Sequence, residues 1–261
     1  QLALRSSESL RVALADGEAI PEATFELSGP RGRIVIDLTQ SEATWKYPDI
    51  FLLVDGFGDD TYIGRVAANT DIAQPISVVI DLAGNDSYAP ATDWEVNADT
   101  LTGLRLPMQG AGIFGVAILL DGAGDDEYGC LTHCQGSAIY GAGILVDHGG
   151  SDIYKGYDFA QGSAEFGYGL LLDLGDGDDS YETLQHSQGY GGPRGIGWLI
   201  DQDGNDDYLA IKDPIIFDWA GEGTNFSGSQ GFAFGWRGGP YWSGGLGGLF
   251  DLNGNDSYQC A

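Results

Sequence analysis

Leu120-Asp-Gly-Ala-Gly-Asp-Asp-Glu-Tyr128 is the phrase whose reading decides the fold. It recurs as Leu53-Val-Asp-Gly-Phe-Gly-Asp-Asp-Thr-Tyr62, Ile80-Asp-Leu-Ala-Gly-Asn-Asp-Ser-Tyr88 and Val146-Asp-His-Gly-Gly-Ser-Asp-Ile-Tyr154. Three more copies follow: Leu172-Asp-Leu-Gly-Asp-Gly-Asp-Asp-Ser-Tyr181, Ile200-Asp-Gln-Asp-Gly-Asn-Asp-Asp-Tyr208 and Phe250-Asp-Leu-Asn-Gly-Asn-Asp-Ser-Tyr258. The shared pattern is an apolar residue, Asp, two variable positions, Gly, Asp/Asn/Ser, Asp, any residue and Tyr, with one extra residue in the copy that starts at Asp173. The leading aspartates, Asp55, Asp81, Asp121, Asp147, Asp173, Asp201 and Asp251, are spaced 26, 40, 26, 26, 28 and 50 residues apart. A Gln-Gly pair precedes five of them, at Gln109, Gln135, Gln161, Gln188 and Gln230.

A unit of about 26 residues, made of short apolar runs split by Gly-rich turns, cannot bury a core alone, but stacked units can. The expected fold is therefore all-β, a parallel β-solenoid (β-helix) with three short strands per coil and a rise of ~4.8 Å. Residues 1–50 lack the phrase and are expected to form an N-terminal cap and first strand, with Arg33-Ile-Val-Ile-Asp-Leu38 as a degenerate strand; residues 51–261 form the solenoid. The irregular spacings place insertions near 89–108, 209–229 and 236–246. The repeated Gln is expected to form a hydrogen-bonded amide ladder, and the Tyr column a stacked aromatic ladder.

The composition excludes several classes. Acids outnumber bases 39 to 11, for a net charge of −28, which rules out a phosphate-seeking nucleic-acid surface. With 43% hydrophobic residues the chain is no disordered acidic tail. No apolar run reaches the ~20 residues of a membrane span. Met108 is the only methionine, so the chain is expected to be either a mature form whose leader was removed or a fragment; Gln1 suits the first, an exported protein that is secreted, periplasmic or on the cell surface.

Asp121-Gly-Ala-Gly-Asp-Asp-Glu-Tyr128 resembles the haemolysin-type RTX calcium repeat, G-G-x-G-x-D-x-U. Gly122, Gly124, Asp126 and Tyr128 match, while Asp121 stands where that repeat has its first Gly; Asp55 to Tyr62 matches equally well. The resemblance implies loops that bind Ca²⁺ between successive turns through Asp carboxylates and loop carbonyls. It is local: RTX repeats return every nine residues, whereas this unit is near 26.

Apart from the likeness, stacking sets equivalent carboxylates ~5 Å apart, where like charges repel by several times the ~1 kcal/mol they feel in water. Either the pKa values rise or hard cations sit between the loops, and Ca²⁺ suits clustered carboxylates. The candidate ligands are the leading aspartates and a later column, Asp60, Asp86, Asp126, Asp152, Asp179, Asp206 and Asp256; the later column is the better candidate. Asp59, Asp125, Asp178 and Asp203 add charge to the same loops. The competing reading is an Asx turn capped by each Asp, with no metal.

Three other features are singled out. His133 and His186 align two coils apart, ~10 Å, and with Asp158 form the acid/base set of an alternative, a glycan-active β-helix enzyme with its groove between the insertions. The aromatics Phe217, Trp219, Phe226, Phe232, Phe234, Trp236, Tyr241 and Trp242 either close the solenoid end or offer a carbohydrate- or protein-binding surface. Cys130 and Cys134 are expected to pair, leaving Cys260 free or linked to another chain. The favoured reading is a non-enzymatic, calcium-stabilised surface, adhesion or assembly component that meets a protein partner or a second copy at its C-terminal coil.

Overall fold

The computed structural model describes residues 22–91, 107–213, 215, 223, 226–235 and 243–260. Most of the expected insertions, residues 1–21, and Phe217, Trp219, Trp236, Tyr241 and Trp242 lie outside the described residues.

The apolar run before each leading Asp forms one strand per coil: β4 (Ile50–Asp55), β7 (Ile76–Ile80), β10 (Val116–Leu120), β13 (Ala142–Asp147), β16 (Tyr168–Asp173), β18 (Ile196–Asp201) and β20 (Leu246–Asp251). These pair in parallel, extended at the N-terminal edge by β2 (Gly32–Asp37) and by an antiparallel β1 (Thr24–Gly29), into one nine-stranded sheet. The segment around each Tyr forms a second, eight-stranded sheet: β3 (Thr44–Trp45), β5 (Thr61–Ile63), β8 (Ser87–Ala89), β11 (Glu127–Thr132), β14 (Ile153–Asp158), β17 (Ser180–Thr183), β19 (Asp207–Ala210) and β21 (Ser257–Cys260). The third side is the short sheet of β6 (Ala68–Asn69), β9 (Ala111–Ile113), β12 (Ala138–Ile139) and β15 (Ala164–Glu165). The chain is a parallel β-solenoid, and equivalent bends lie over one another.

The coil architecture starts before the motif does. Asp37 pairs in register with Asp55, and Trp45 with Tyr62, so residues 32–45 already follow the path of a coil.

Period-2 alternation fills the interior. Leu53, Val79, Leu119, Leu145, Leu171 and Leu199 point inward and meet the Tyr ladder across the core. From Tyr62 to Tyr258 the rings stack at 4.5, 4.6, 4.9, 4.8, 4.8 and 4.8 Å, with interplanar angles of 10° or less. Each such pair contributes ~0.5–1.5 kcal/mol beyond its burial and fixes register, because a slip of one residue would turn every ring outward.

The glutamines differ from expectation. They sit at a corner with positive φ, 50° to 56°, but their amides do not bond to one another. Each Nε2 donates to the backbone oxygen of a ladder tyrosine, as from Gln135 to Tyr128 at 2.8 Å and from Gln188 to Tyr181 at 3.0 Å. The side chain thus crosses the corner to tie down the Tyr strand, whose carbonyls face the corner and need a donor. The loop glycines are equally constrained: a Cβ on Gly124 would fall inside the carbonyl of Gly84, and one on Gly150 inside that of Gly124.

Candidate metal centre

The bend after each nine-stranded-sheet strand brings three polar rows together, and each is used differently. The middle row, Asp59, Asn85, Asp125, Ser151, Asp178 and Asn205, is exposed. Its side chains accept the backbone N–H of the equivalent residue one coil on, for example Asp125 from Ser151 at 2.9 Å. The leading and later rows, by contrast, do not sit on a solvated edge: from Asp55 to Asp206 they are at most 3% exposed.

Asp81, Asp147 and Asp173 spend both oxygens on the protein, while Oδ1 of Asp121 and of Asp201 is buried without a hydrogen-bond partner. In the first three, Oδ1 accepts from the backbone N–H two residues on in an Asx turn, Asp81 from Ala83 at 3.0 Å, Asp147 from Gly149 at 2.9 Å and Asp173 from Gly175 at 2.9 Å. Oδ2 accepts the hydroxyl of the ladder tyrosine one coil earlier, at 2.7 Å for Tyr88 to Asp121, Tyr128 to Asp147 and Tyr154 to Asp173. The tyrosine column therefore orients ligand-bearing side chains as well as stacking. At the N-terminal edge, Nε1 of Trp45 takes the place of a phenol and donates to Asp55.

The later row runs the other way. Oδ1 of Asp86, Asp126, Asp152 and Asp179 accepts the N–H of the preceding coil's later Asp at 2.6 to 2.7 Å. The second oxygen, Oδ2, of Asp60, Asp86, Asp126, Asp152, Asp179 and Asp206 is buried and has no hydrogen-bond partner. These oxygens lie beside the leading carboxylates. Asp55/Asp60/Asp81, Asp81/Asp86/Asp121, Asp121/Asp126/Asp147, Asp147/Asp152/Asp173 and Asp179/Asp201/Asp206 each offer three carboxylate oxygens within 4.8 Å of one another. A cation at ~2.4 Å from each of three such oxygens fits that span.

The electrostatics call either for protons on the carboxylates or for a counter-charge. Two carboxylates ~5 Å apart repel by about 3 kcal/mol at an effective dielectric of 20. No ion pair seen among the described residues, Arg33 with Glu26 and Asp49 or His186 with Asp158, touches either column. Without a cation, burial first and neighbouring aspartates second push the carboxyls up: Asp126 to about 8, Asp86 and Asp152 to about 9, Asp179 to about 10. Asp55 rises to about 8; Asp81 and Asp173, held down by tyrosine and Asx-turn donors, rise only to about 6. Asp201 and Asp206 reach about 7, and Asp60, Asp121 and Asp147 shift upward for the same cause. The last pair, Asp251 and Asp256, lies in the open final coil, less buried than its counterparts.

No known family model, characterised protein or solved structure matches this chain. The RTX likeness stays a likeness of loops; by their geometry the groups above are positioned to hold a metal ion.

The remaining candidates fall elsewhere. His133 and His186 do occupy one column, but Phe159 lies between them, stacked at 5.2 and 4.9 Å. Nδ1 of His186 lies 3.1 Å from Oδ1 of the buried Asp158, whose carboxyl is pushed up by burial and lowered by that contact. Cys130 and Cys134 form a disulfide; Cys260 is free and exposed, 3.0 Å from the Ser227 hydroxyl. Of the aromatic set, Phe226 and Phe232 meet edge to face at 5.6 Å, and Phe234 is exposed. Sequence reasoning missed Asp37 and Trp45. Their signal was the spacing: Trp45 follows Asp37 by eight residues, as Tyr181 follows Asp173.

Proposed function

We propose that the chain is an exported, non-enzymatic β-solenoid whose interior carries a row of Ca²⁺ ions, and that it serves as a rigid surface, adhesion or assembly component with its C-terminal coil as a docking end. The observation that carries this reading is the column of buried Oδ2 atoms without partners beside carboxylates of the next coil. Buried polar atoms are almost always satisfied. Six in a row at the same coil position is a design feature, and a divalent cation satisfies all of them while removing the repulsion. Ca²⁺ is favoured over Mg²⁺ because the oxygens come from carboxylates on Gly-rich bends, whose spacing is not held to an octahedron.

Isothermal titration of chelator-treated protein with Ca²⁺, read beside thermal melting, tests this. Heat and a rise in melting temperature are expected; neither heat nor shift removes the ion reading. The alternative, a glycan-active enzyme, rests on the His186–Asp158 contact. Cleavage of neutral polysaccharides that disappears in His186→Ala would favour it.

A further inference from the structure

We propose that the outer face of the nine-stranded sheet is a docking surface for the same face of a second copy of this chain. The inner side of that sheet is spent on the core. The outer side is apolar too: Val78, Ile118, Ile144, Leu170 and Trp198 form one in-register row across β7, β10, β13, β16 and β18. Strands apolar on both faces are the mark of a sheet buried on both faces. The five residues of this row are half-buried, Val78, Ile118 and Ile144 against the cluster of Ile80, Leu82, Leu120 and Val146, and Ile76, Val116, Ile196 and Leu246 beside them are exposed.

Charge has been kept off this face. From β4 to β20 the only charged residues in these strands are leading aspartates, and those turn inward, in a chain of net charge −28. The row nearest the bends is packed shut at its centre, where Ile80, Leu120 and Val146 cluster with Leu82. The opposite margin and the C-terminal end are open, with Val116 and Ile196 each 38% exposed, Leu246 52% and Phe250 46%. Tyr168, Trp198 and Phe250 meet edge to face at 5.8 and 6.1 Å and give that end an aromatic anchor.

Two arguments select a second copy as the occupant. The first is area: nine strands at ~4.8 Å by ~16 Å of strand length give ~700 Å². That is close to the ~800 Å² each partner contributes to a stable interface and more than the ~300–600 Å² of an ordinary surface patch. The second is pitch. Side-chain rows that repeat every ~4.8 Å interdigitate best with rows of the same repeat, which an isologous copy supplies by symmetry. The acids lie at the bends and on the other sheets, so the charges of two copies stay apart by more than a Debye length of ~8 Å over most of the face. An anionic bilayer is a poor alternative, because the chain's own charge repels it.

Sedimentation velocity on the full chain, from about 1 to about 100 µM, tests this. A dimer is expected, and its fraction should rise between about 0.15 and about 0.5 M NaCl as the residual repulsion is screened. Ile118→Lys with Ile144→Lys should weaken dimerisation at least ~10-fold. The milder Ile118→Ser with Ile144→Ser, with an unchanged circular dichroism spectrum, guards against misfolding. A monomer throughout, a dimer indifferent to both pairs of substitutions, or a chain that binds vesicles but not itself would each overturn the proposal.

Discussion

The two inward aspartate columns look alike as sequence and behave differently as structure. Leading aspartates such as Asp147 are finished by the protein itself, with an Asx turn on one oxygen and a tyrosine hydroxyl on the other. The later aspartates are half finished: one oxygen ties adjacent coils, and the other has no partner. Burial alone therefore does not tell a carboxylate fixed by the protein from one with an oxygen to spare, and the metal groups draw on both columns.

The strongest way to break that contrast is Gly124→Ala, which forces the bend away from the Gly84 carbonyl and displaces both columns together. A loss of at least ~4 kcal/mol in denaturant unfolding is expected, or no folded protein at all. Next comes a paired substitution in one site. Asp126→Asn should abolish the calcium-dependent part of stability there, about 2.7 kcal/mol at a hundredfold excess over Kd, yet cost little in chelator, since it removes a buried charge. Asp147→Ala leaves the buried Tyr128 hydroxyl and the Gly149 N–H without their acceptor and should cost ~1–3 kcal/mol even in chelator. An equal cost of the two variants in chelator would erase the distinction.

Titration sharpens the contrast without mutation. The folded carboxyls of Asp86 and Asp152 stand near 9, above the ordinary value of 3.8, so the folded chain holds protons that the unfolded chain releases. That contribution is complete below about pH 4 and is lost as pH rises through the folded values. Metal-free protein should therefore melt at falling temperatures from pH 5 to pH 9, and saturating Ca²⁺ should flatten the slope. Smallest is Tyr128→Phe, which deletes one hydroxyl on Asp147 and keeps the stack; ~1 kcal/mol is expected, independent of calcium.

Much of this was legible in the chain. The recurrence of Asp-x-x-Gly-x-Asp-x-Tyr fixed coil length, register and the aromatic ladder, because each depends on spacing alone. The direction in which a side chain spends its oxygens does not. Nothing in the letters distinguishes Asp147 from Asp152 as turn-former or orphan; that needed the tyrosine of the previous coil. Likewise Gln135 was recognisable as repeated but not as a strut to Tyr128, since its partner is a carbonyl. Asp37 and Trp45 escaped because their loop lacks the glycine and the later aspartate. Ala43 stands there instead and offers only its N–H, to Asp60.

The hydrogen bonds of the bend have one more implication. The middle row hands each acceptor forward to the next coil and the later row hands it back, so every coil presents the same two fittings above and below. A coil is then an interchangeable part. Excising residues 142–167 would join Gly141 to Tyr168, which already stands in register over Ala142, and leave each remaining neighbour with the fittings it had. The length of this rod is adjustable by gene duplication or loss in steps of one strand spacing, with the chemistry of every other step unchanged.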